Sequence, residues 1–205
     1  MTIALPPAPE FGSPVDLAPA PEVLSFLARR RSASAVTLME PAPSPDELDA
    51  LLRLATRVPD HGKLSPWRFV LLQGEDKIRF ADRLDALAQG RGDATAAAKL
   101  AKLRIPPLAV AVISAPKTAA IPAWEQQLSA GAACTTLLYS ALAMGFGANW
   151  ITDWYAYDAE ACAILGLTDG EKVAGFVLMG TLREPPLERE RPNVQALVSR
   201  WKDQS

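Results

Sequence analysis

The chain has 205 residues and a formal net charge of -2 at pH 7, with 49% hydrophobic and 21% charged residues. These values are typical of a soluble globular protein that is large enough to bury one core. The near balance of charge argues against a nucleic-acid-binding protein, because contacts with a phosphate backbone require concentrated positive charge.

Neither cysteine belongs to a metal-binding or disulfide pattern. Cys134 and Cys162 lie in apolar, helix-like runs, so we expect free thiols in the core, no metal site and a cytoplasmic location. The most apolar run, residues 130–144, is too short to span a bilayer, so no membrane partner is expected. The first 21 residues are rich in proline and alanine. They predict an extended or disordered arm (residues 1–21) before one domain (residues 22–205).

Periodicity and turn signals predict an alternation of helices and strands. In chain order they predict a helix over 23–29, a helix over 45–57, a strand over 67–72, helices over 76–89 and 94–103, a strand over 108–114, a helix over 122–144, a glycine turn into a short strand over 145–152, a helix over 158–165, a strand over 173–181 and a charged tail. Ser44 and Pro45 are typical of a helix start. The alternation indicates an α/β or α+β protein.

Two of these elements carry a further expectation about burial. The run Leu108–Ser114 is continuously apolar, which is typical of a strand that is buried on both faces. The helix over 122–144 is polar at its start and apolar on nearly every side afterwards. Such a helix belongs in the centre of a structure or at a subunit interface.

A basic turn follows the first predicted helix. Arg29, Arg30 and Arg31 precede two serines, Ser32 and Ser34. Guanidinium groups bind phosphate or carboxylate through paired hydrogen bonds, and hydroxyls add short ones. The alternative is a solvated basic helix end. The tail sequence Arg-Glu-Arg-Pro at 189–192 also allows either a binding pair of arginines or a solvated charge run.

His61, the only histidine, lies in a loop before the first long strand. Its near-neutral pKa would suit catalysis, although a lone histidine is more often a structural hydrogen-bonding group. A hydrolase that uses His61 with Ser65 or Ser129 is therefore one alternative. A nucleotide-binding Rossmann fold is disfavoured, because Gly145-Phe146-Gly147 lacks the third glycine and follows a helix.

Three segments in order, Arg30–Ser34, Pro59–Phe69 and Trp124–Gly131, resemble the FMN-dependent nitroreductase family, in its compact branch with a Pro-Asp-His loop. Gly145–Trp150 and the Arg-x-Arg-Pro tail follow in the expected order. The resemblance covers the chain from about Val23 to Arg200. It implies an α+β fold, a three-layer α-β-α sandwich around a mixed sheet, built as an intertwined homodimer with two FMN sites at the interface.

The resemblance also implies a set of ligand contacts. The arginine turn would hold the FMN phosphate and ribityl chain, the loop of His61 would line the flavin from the other subunit, and the tail arginines would close on the phosphate. The implied FMN-binding residues are Arg30, Arg31, Ser32, Ser34, His61, Ser65, Trp150, Ile151, Thr152, Arg189 and Arg191. The segment Ser140, Ala141, Leu142, Ala143, Met144 and Gly145 matches one associated with NAD(P)H.

The implied function is transfer of reducing equivalents from NAD(P)H through FMN to an electron-poor acceptor, such as a nitroaromatic or a quinone, with ping-pong kinetics. Because the flavin carries the hydride chemistry, no acid–base pair or nucleophile is required. A non-catalytic flavin-binding or flavin-processing protein on the same fold is the alternative. This chain has Lys63 and Ser65 where many relatives have Asn and Gln. It also has Thr152-Asp153-Trp154 where many have Glu-Gly, so we expect different hydrogen bonds to the flavin.

Overall fold

The computed structural model describes residues 5–15 and 17–203. Residues 1–4 and 16 of the predicted arm, and residues 204–205 of the domain, lie outside this range. The helices are α1 (Pro21–Arg29), α2 (Pro45–Ala55), α3 (Gly74–Gly90), α4 (Ala94–Lys99), α5 (Ala101–Arg104), α6 (Ala123–Ala143) and α7 (Ala159–Leu165). The strands are β1 (Leu38–Met39), β2 (Trp67–Gln73), β3 (Leu108–Ser114), β4 (Gly147–Ile151) and β5 (Lys172–Leu182).

The five strands form one sheet around β5. They pair in the order β1-β5-β3-β2, and β4 pairs with β5 as well. All pairings among the described strands are antiparallel. This differs from the mixed sheet that the resemblance implied, because no described strand runs parallel to a strand with which it pairs.

Helices cover both faces of the sheet, which gives the expected α+β sandwich of three layers. The side chains of β3 alternate between the layers: Val110 packs with α2 and α6, whereas Ala111 packs with α3, α5 and α7. Every residue of β3 is buried, so the prediction of a strand covered on both faces is confirmed.

Local signals explain where α2 begins and α7 ends. The Ser44 hydroxyl accepts the amide of Glu47, whose carboxylate accepts the amide of Ser44, which forms a capping box. Gly166 ends α7 in the left-handed conformation, with φ 82°, which glycine adopts without steric cost.

One predicted helix differs from the observed structure, and one observed strand has no predicted counterpart. The helix predicted over 94–103 is broken at Leu100 into α4 and α5. Strand β1 has no predicted counterpart, because two residues are too few to show an alternation of apolar and polar side chains. Helix α6 buries one face in the core, whereas Trp124 and Leu128 on its other side are exposed. Of the predicted core cysteines, Cys134 is buried and Cys162 is partly buried.

A buried charged side chain connects two elements of the fold. Lys77 on α3 is 5% exposed, and its ammonium donates to the carbonyls of Leu103, Arg104 and Pro106 at the end of α5. Its desolvation lowers the pKa of Lys77. No helix among the described residues has the length and apolar character to cross a membrane.

Candidate functional site

The arginine turn is attached to strand β4. The amide of Ala33 donates to the carbonyl of Ala148 at 3.0 Å, and the side-chain amide of Asn149 donates to the carbonyl of Ala33. Arg30 follows the last residue of α1, and its amide donates to the carbonyl of Phe26 at 2.8 Å. The direction of Arg30 and its neighbours is therefore set by both a helix end and a strand.

Arg30 has a donor that no described residue satisfies. Its guanidinium carbon lies 5.3 Å from the centre of the Tyr139 ring, and its Nη2 donates to Ser32 Oγ at 3.3 Å. Its Nε is buried and has no hydrogen-bond partner in the described part of the chain. A buried cationic donor without an acceptor is costly. The donor set of this turn therefore fits an anionic group from outside, such as a phosphate.

The tail after β5 returns to the same turn. Arg31 Nε donates to the carbonyl of Leu187 at 2.9 Å, and Arg191 Nη2 lies 3.5 Å from the carbonyl of Arg30. Glu188 lies between the two arginines, 3.6 Å from Arg31 Nε and 2.9 Å from Arg191 Nη2. Beside them is a cavity of about 450 Å³, lined by Arg31, Ser32, Ser34, Thr37 and residues 184–188.

The two predicted tail arginines thus have different surroundings. Arg191 contacts the arginine turn, whereas the side chain of Arg189 forms no hydrogen bond or ion pair with any described residue. Residues two apart in an extended segment point to the same side, but these two arginines do not share contacts. Of the two tail arginines, only Arg191 therefore lies at the arginine turn through contacts with described residues.

Trp150 on β4 packs against a bulge in β5. The register of β3 with β5 shifts next to Ala174, whose carbonyl accepts the indole N–H of Trp150 at 3.3 Å. A Cβ at Gly175 would lie 1.8 Å from Trp150 Nε1, so only glycine admits the ring there. The sheet therefore holds Trp150 in one orientation.

The residues after Trp150 divide between surface and core. Ile151 is half-buried and packs against the core, whereas Thr152 is exposed and its hydroxyl lies 2.7 Å from the Tyr157 hydroxyl. Asp153 is buried, accepts the amide of Trp154, and lies 3.3 Å from Lys102 Nζ. Asp153 is therefore engaged within the chain, which leaves Thr152 as the polar group of this segment that is open to a ligand.

The Pro-Asp-His loop is shaped by Asp60. Its carboxylate accepts the amides of Leu64 at 3.0 Å and Ser65 at 2.8 Å. Lys63 and Ser65 have φ values of 55° and 46°, a region that L-residues rarely adopt. The two loop positions at which this chain was expected to depart from many relatives therefore have left-handed backbone, stabilised by the carboxylate of Asp60.

His61 is held by an acid on α6. Its Nδ1 lies 2.8 Å from Glu125 Oε2, and its side chain is 66% exposed. Ser129 is buried and donates to the carbonyl of Pro59 at 2.7 Å. In the part of the chain that the structure describes, neither Ser129 nor Ser65 forms a hydrogen bond with His61. The geometry therefore offers no support for the hydrolase alternative.

The two predicted halves of the site are far apart in one chain. Glu125 marks the position of His61 on α6, and Tyr139 marks that of Arg30. Fourteen residues of helix separate them, which corresponds to about 21 Å. One chain thus brings Arg30, Arg31, Ser32, Ser34 and Arg191 together near β4, but places the His61 loop elsewhere.

The segment expected to contact NAD(P)H ends α6. Ser140, Ala143 and Met144 line an apolar groove of about 620 Å³ against α1. Ala141 is fully buried within the core and Leu142 is partly buried. Gly145 ends the helix with φ 89°. Only part of this segment therefore lines the groove.

Several residues of the site were not assigned a role from the sequence. Tyr139, Asn149, Asp60, Glu125 and Glu188 position or contact the predicted residues. A signal existed for Glu188, which lies three residues before Arg191, and for Asp60, which precedes a glycine turn. The contacts of the others are long-range and carry no local pattern.

Comparison with known proteins gives three consistent matches. The chain is 35% identical over 163 residues to an Escherichia coli (strain K12) protein named "Putative NAD(P)H nitroreductase YdjA", which covers 78% of this chain and 88% of that one. A nitroreductase-like protein from Bacillus cereus has a similar structure, with a TM-score of 0.78 and 20% identity over 93% of this chain and 100% of that one. A nitroreductase from Bacteroides fragilis, solved with bound FMN, has a TM-score of 0.66 with this chain. It is 21% identical, and the match covers 88% of this chain and 99% of that one.

The two solved structures share the three-layer fold of this chain. The sequence model described as "Nitroreductase family" matches residues 27–181, a range that includes the arginine turn, the Pro-Asp-His loop, α6 and β4. The order of motifs, the fold and this match agree, and the chain belongs to the nitroreductase family.

Proposed function

We propose that this protein is an FMN-dependent oxidoreductase that passes reducing equivalents from NAD(P)H to an electron-poor acceptor, such as a nitroaromatic or a quinone. The observation that carries the proposal is the buried Arg30 Nε without a partner, next to Arg31 and Arg191. Three guanidinium groups and two serine hydroxyls suit a phosphate dianion. The relative named as an NAD(P)H nitroreductase and the neighbour solved with FMN support the same assignment.

Each part of the site has a distinct task in this proposal. Arg30, Arg31 and Ser32 hold the phosphate and ribityl chain, Ser34 lies beside them, and Arg191 closes from the tail. Trp150, Ile151 and Thr152 form the wall of the ring pocket that follows β4. When bound, FMN supplies the hydride chemistry, and the residues of the chain bind and orient it.

We propose that the site is completed by a second copy of the chain. Helix α1 has no buried residue, and the outer side of α6 exposes Trp124 and Leu128. The tail exposes Trp201 to 86%. Exposed apolar surface of this kind marks an interaction site. Since His61 lies about 21 Å along α6 from the arginine turn, a partner's loop would supply His61 and Ser65 to this site.

We further propose that the two substrates use one open face in turn, which gives ping-pong kinetics. No described serine or cysteine forms a nucleophile pair with His61, and its contact with Glu125 holds the imidazole in place. Lys63 and Ser65 make the rim of this face different from that of many relatives. The acceptor of this protein is therefore to be found by testing, rather than by transfer from a relative.

The test is direct. The purified chain should be yellow, should elute as a dimer, and should lose its flavin absorbance on anaerobic mixing with NADH or NADPH; a panel of nitroaromatics and quinones should then restore it. A yellow protein that neither nucleotide bleaches would support the non-catalytic flavin-binding alternative. A colourless protein that cannot be reconstituted with FMN would refute the proposal.

A further inference from the structure

We propose that Glu188 is an internal competitor for the phosphate of the cofactor and thereby sets the affinity of the site for FMN. This inference rests on the proposed function. Glu188 lies in the tail and pairs with Arg31 and Arg191, which are proposed to hold the phosphate.

Glu188 is the carboxylate shared by the arginine turn and the tail. One oxygen, Oε1, lies 2.9 Å from Arg191 Nη2 and 3.6 Å from Arg31 Nε. The same oxygen accepts the backbone amide of Arg189 at 2.7 Å. An anion thus contacts donors from both segments, as a phosphate oxygen would.

Glu188 is also free to leave this position. Its side chain is 59% exposed, and its contacts with Arg31 and Arg191 are surface ion pairs, which are individually weak. Arg31 is held separately, by the carbonyl of Leu187 at 2.9 Å. Displacement of the carboxylate therefore leaves the tail attached to the turn.

A carboxylate and a phosphate dianion cannot share these donors without repulsion. Binding of the phosphate either displaces Glu188 from Arg31 and Arg191 or leaves two like charges a few ångströms apart. Both cases weaken binding of FMN relative to a chain with a neutral side chain at this position. The effect depends on the phosphate, so riboflavin, which lacks it, should not be affected.

The chain offers a matched control. Glu190 is in the same exposed tail, two residues away, and forms no ion pair with any residue in 5–15 or 17–203. Glu190→Gln removes one negative charge from the tail, as Glu188→Gln does, but leaves the ion pairs of Arg31 and Arg191 unchanged. A general effect of net charge on FMN binding would appear in both variants, whereas direct competition would appear in Glu188→Gln only.

The experiment titrates FMN and riboflavin into the full-length protein after removal of bound flavin, with the quenching of flavin fluorescence as the signal. Glu188→Gln should bind FMN about three- to tenfold more tightly, the scale of removing one like charge at this distance in a solvent-exposed site. Riboflavin affinity should stay within twofold, and Glu190→Gln should match the wild type for both ligands.

The outcomes separate the inference from the proposed function. Unchanged or weaker FMN binding by Glu188→Gln, with normal binding by the wild type, would overturn the competitor role and leave the flavin site intact. Equal tightening by Glu190→Gln would also overturn it, because the effect would then be one of net charge. A wild-type protein that binds neither flavin would overturn the proposed function, and this inference with it.

Discussion

The amide of Ala33 is bonded to the carbonyl of Ala148 at 3.0 Å, and this contact joins the arginine turn to strand β4. The turn is therefore positioned by the backbone of the sheet, and the side chains of Arg30 and Arg31 are not required to hold it. Substitution of an arginine here should change ligand binding with little effect on folding.

Arg31→Ala should weaken FMN binding by about 1.5–3 kcal/mol, because a charge-assisted contact with the phosphate is lost. The measurement is a fluorescence titration of FMN, with thermal unfolding of both proteins as a check on folding. Arg29→Ala is the control, since within the described part of the chain the Arg29 side chain hydrogen-bonds only to Ser25 on its own helix. An unchanged affinity in Arg31→Ala would mean that the turn is a solvated helix end.

The proposed shared site predicts complementation between two variants that are each impaired. Arg31→Ala damages the phosphate side, and Asp60→Ala removes the carboxylate that shapes the His61 loop. If the two sides come from different copies, a mixed dimer contains one site with both changes and one with neither. Refolding the two variants together should therefore restore NAD(P)H-dependent reduction of an acceptor, up to half of the wild-type rate per dimer.

The same mixture distinguishes the opposite arrangement. If one copy supplied both sides of a site, each site of the mixed dimer would carry one change, and activity would stay at the level of the separate variants. Mixing each variant with itself provides the baseline.

The contribution of Glu171 to the stability of the fold should be lost in acid. Its carboxylate accepts Arg68 Nε and Nη2, each at 2.7 Å, and this hydrogen bonding lowers the pKa of Glu171 from 4.5 to about 2. Because the folded-state pKa is depressed, the stabilisation is present above about pH 4.5 and is lost as the pH falls toward 2. Glu171→Gln should lower the free energy of unfolding by about 1–2 kcal/mol at pH 7.

Urea unfolding at pH 7, 4 and 2.5 would test this dependence. The difference between Glu171→Gln and the wild type should shrink as the pH falls. Glu160→Gln removes an acid from an exposed pair with Arg91 and should have little effect at any pH. A difference that does not vary with pH would contradict a role for the ionised carboxylate of Glu171.

Lys77 should be required for the stability of the fold. Lys77→Ala leaves the carbonyls at the end of α5 without their donor and removes a buried stem, so the free energy of unfolding should fall by about 2–4 kcal/mol. Lys77→Met keeps the stem and should recover part of this loss. Arg79→Ala, on the same helix but exposed, should change the value by at most about 0.5 kcal/mol. Equal stability of all three variants in chemical denaturation would contradict the role of Lys77.

Local features of the fold were predictable because neighbouring residues produce them. The capping box at Ser44 follows from a hydroxyl and a glutamate three residues apart. Strand β3 was predicted with its observed bounds, since a buried strand of this sheet is apolar throughout. The two-residue strand β1 and the break at Leu100 were missed, because each depends on packing with distant segments.

The sequence by itself determined the elements, the family and the residue types that suit an anionic cofactor, because hydrophobic period, capping and motif order are local. Only the tertiary structure decided which of these residues meet. It placed Arg191 against the turn, and it put the contacts of His61 and Arg30 at Glu125 and Tyr139 of α6, which lie about 21 Å apart along the helix. It also revealed Glu188 between two arginines and a buried Arg30 Nε without a partner. The contacts of the tail with Arg30 and Arg31 join residues more than a hundred positions apart, and no local pattern records them.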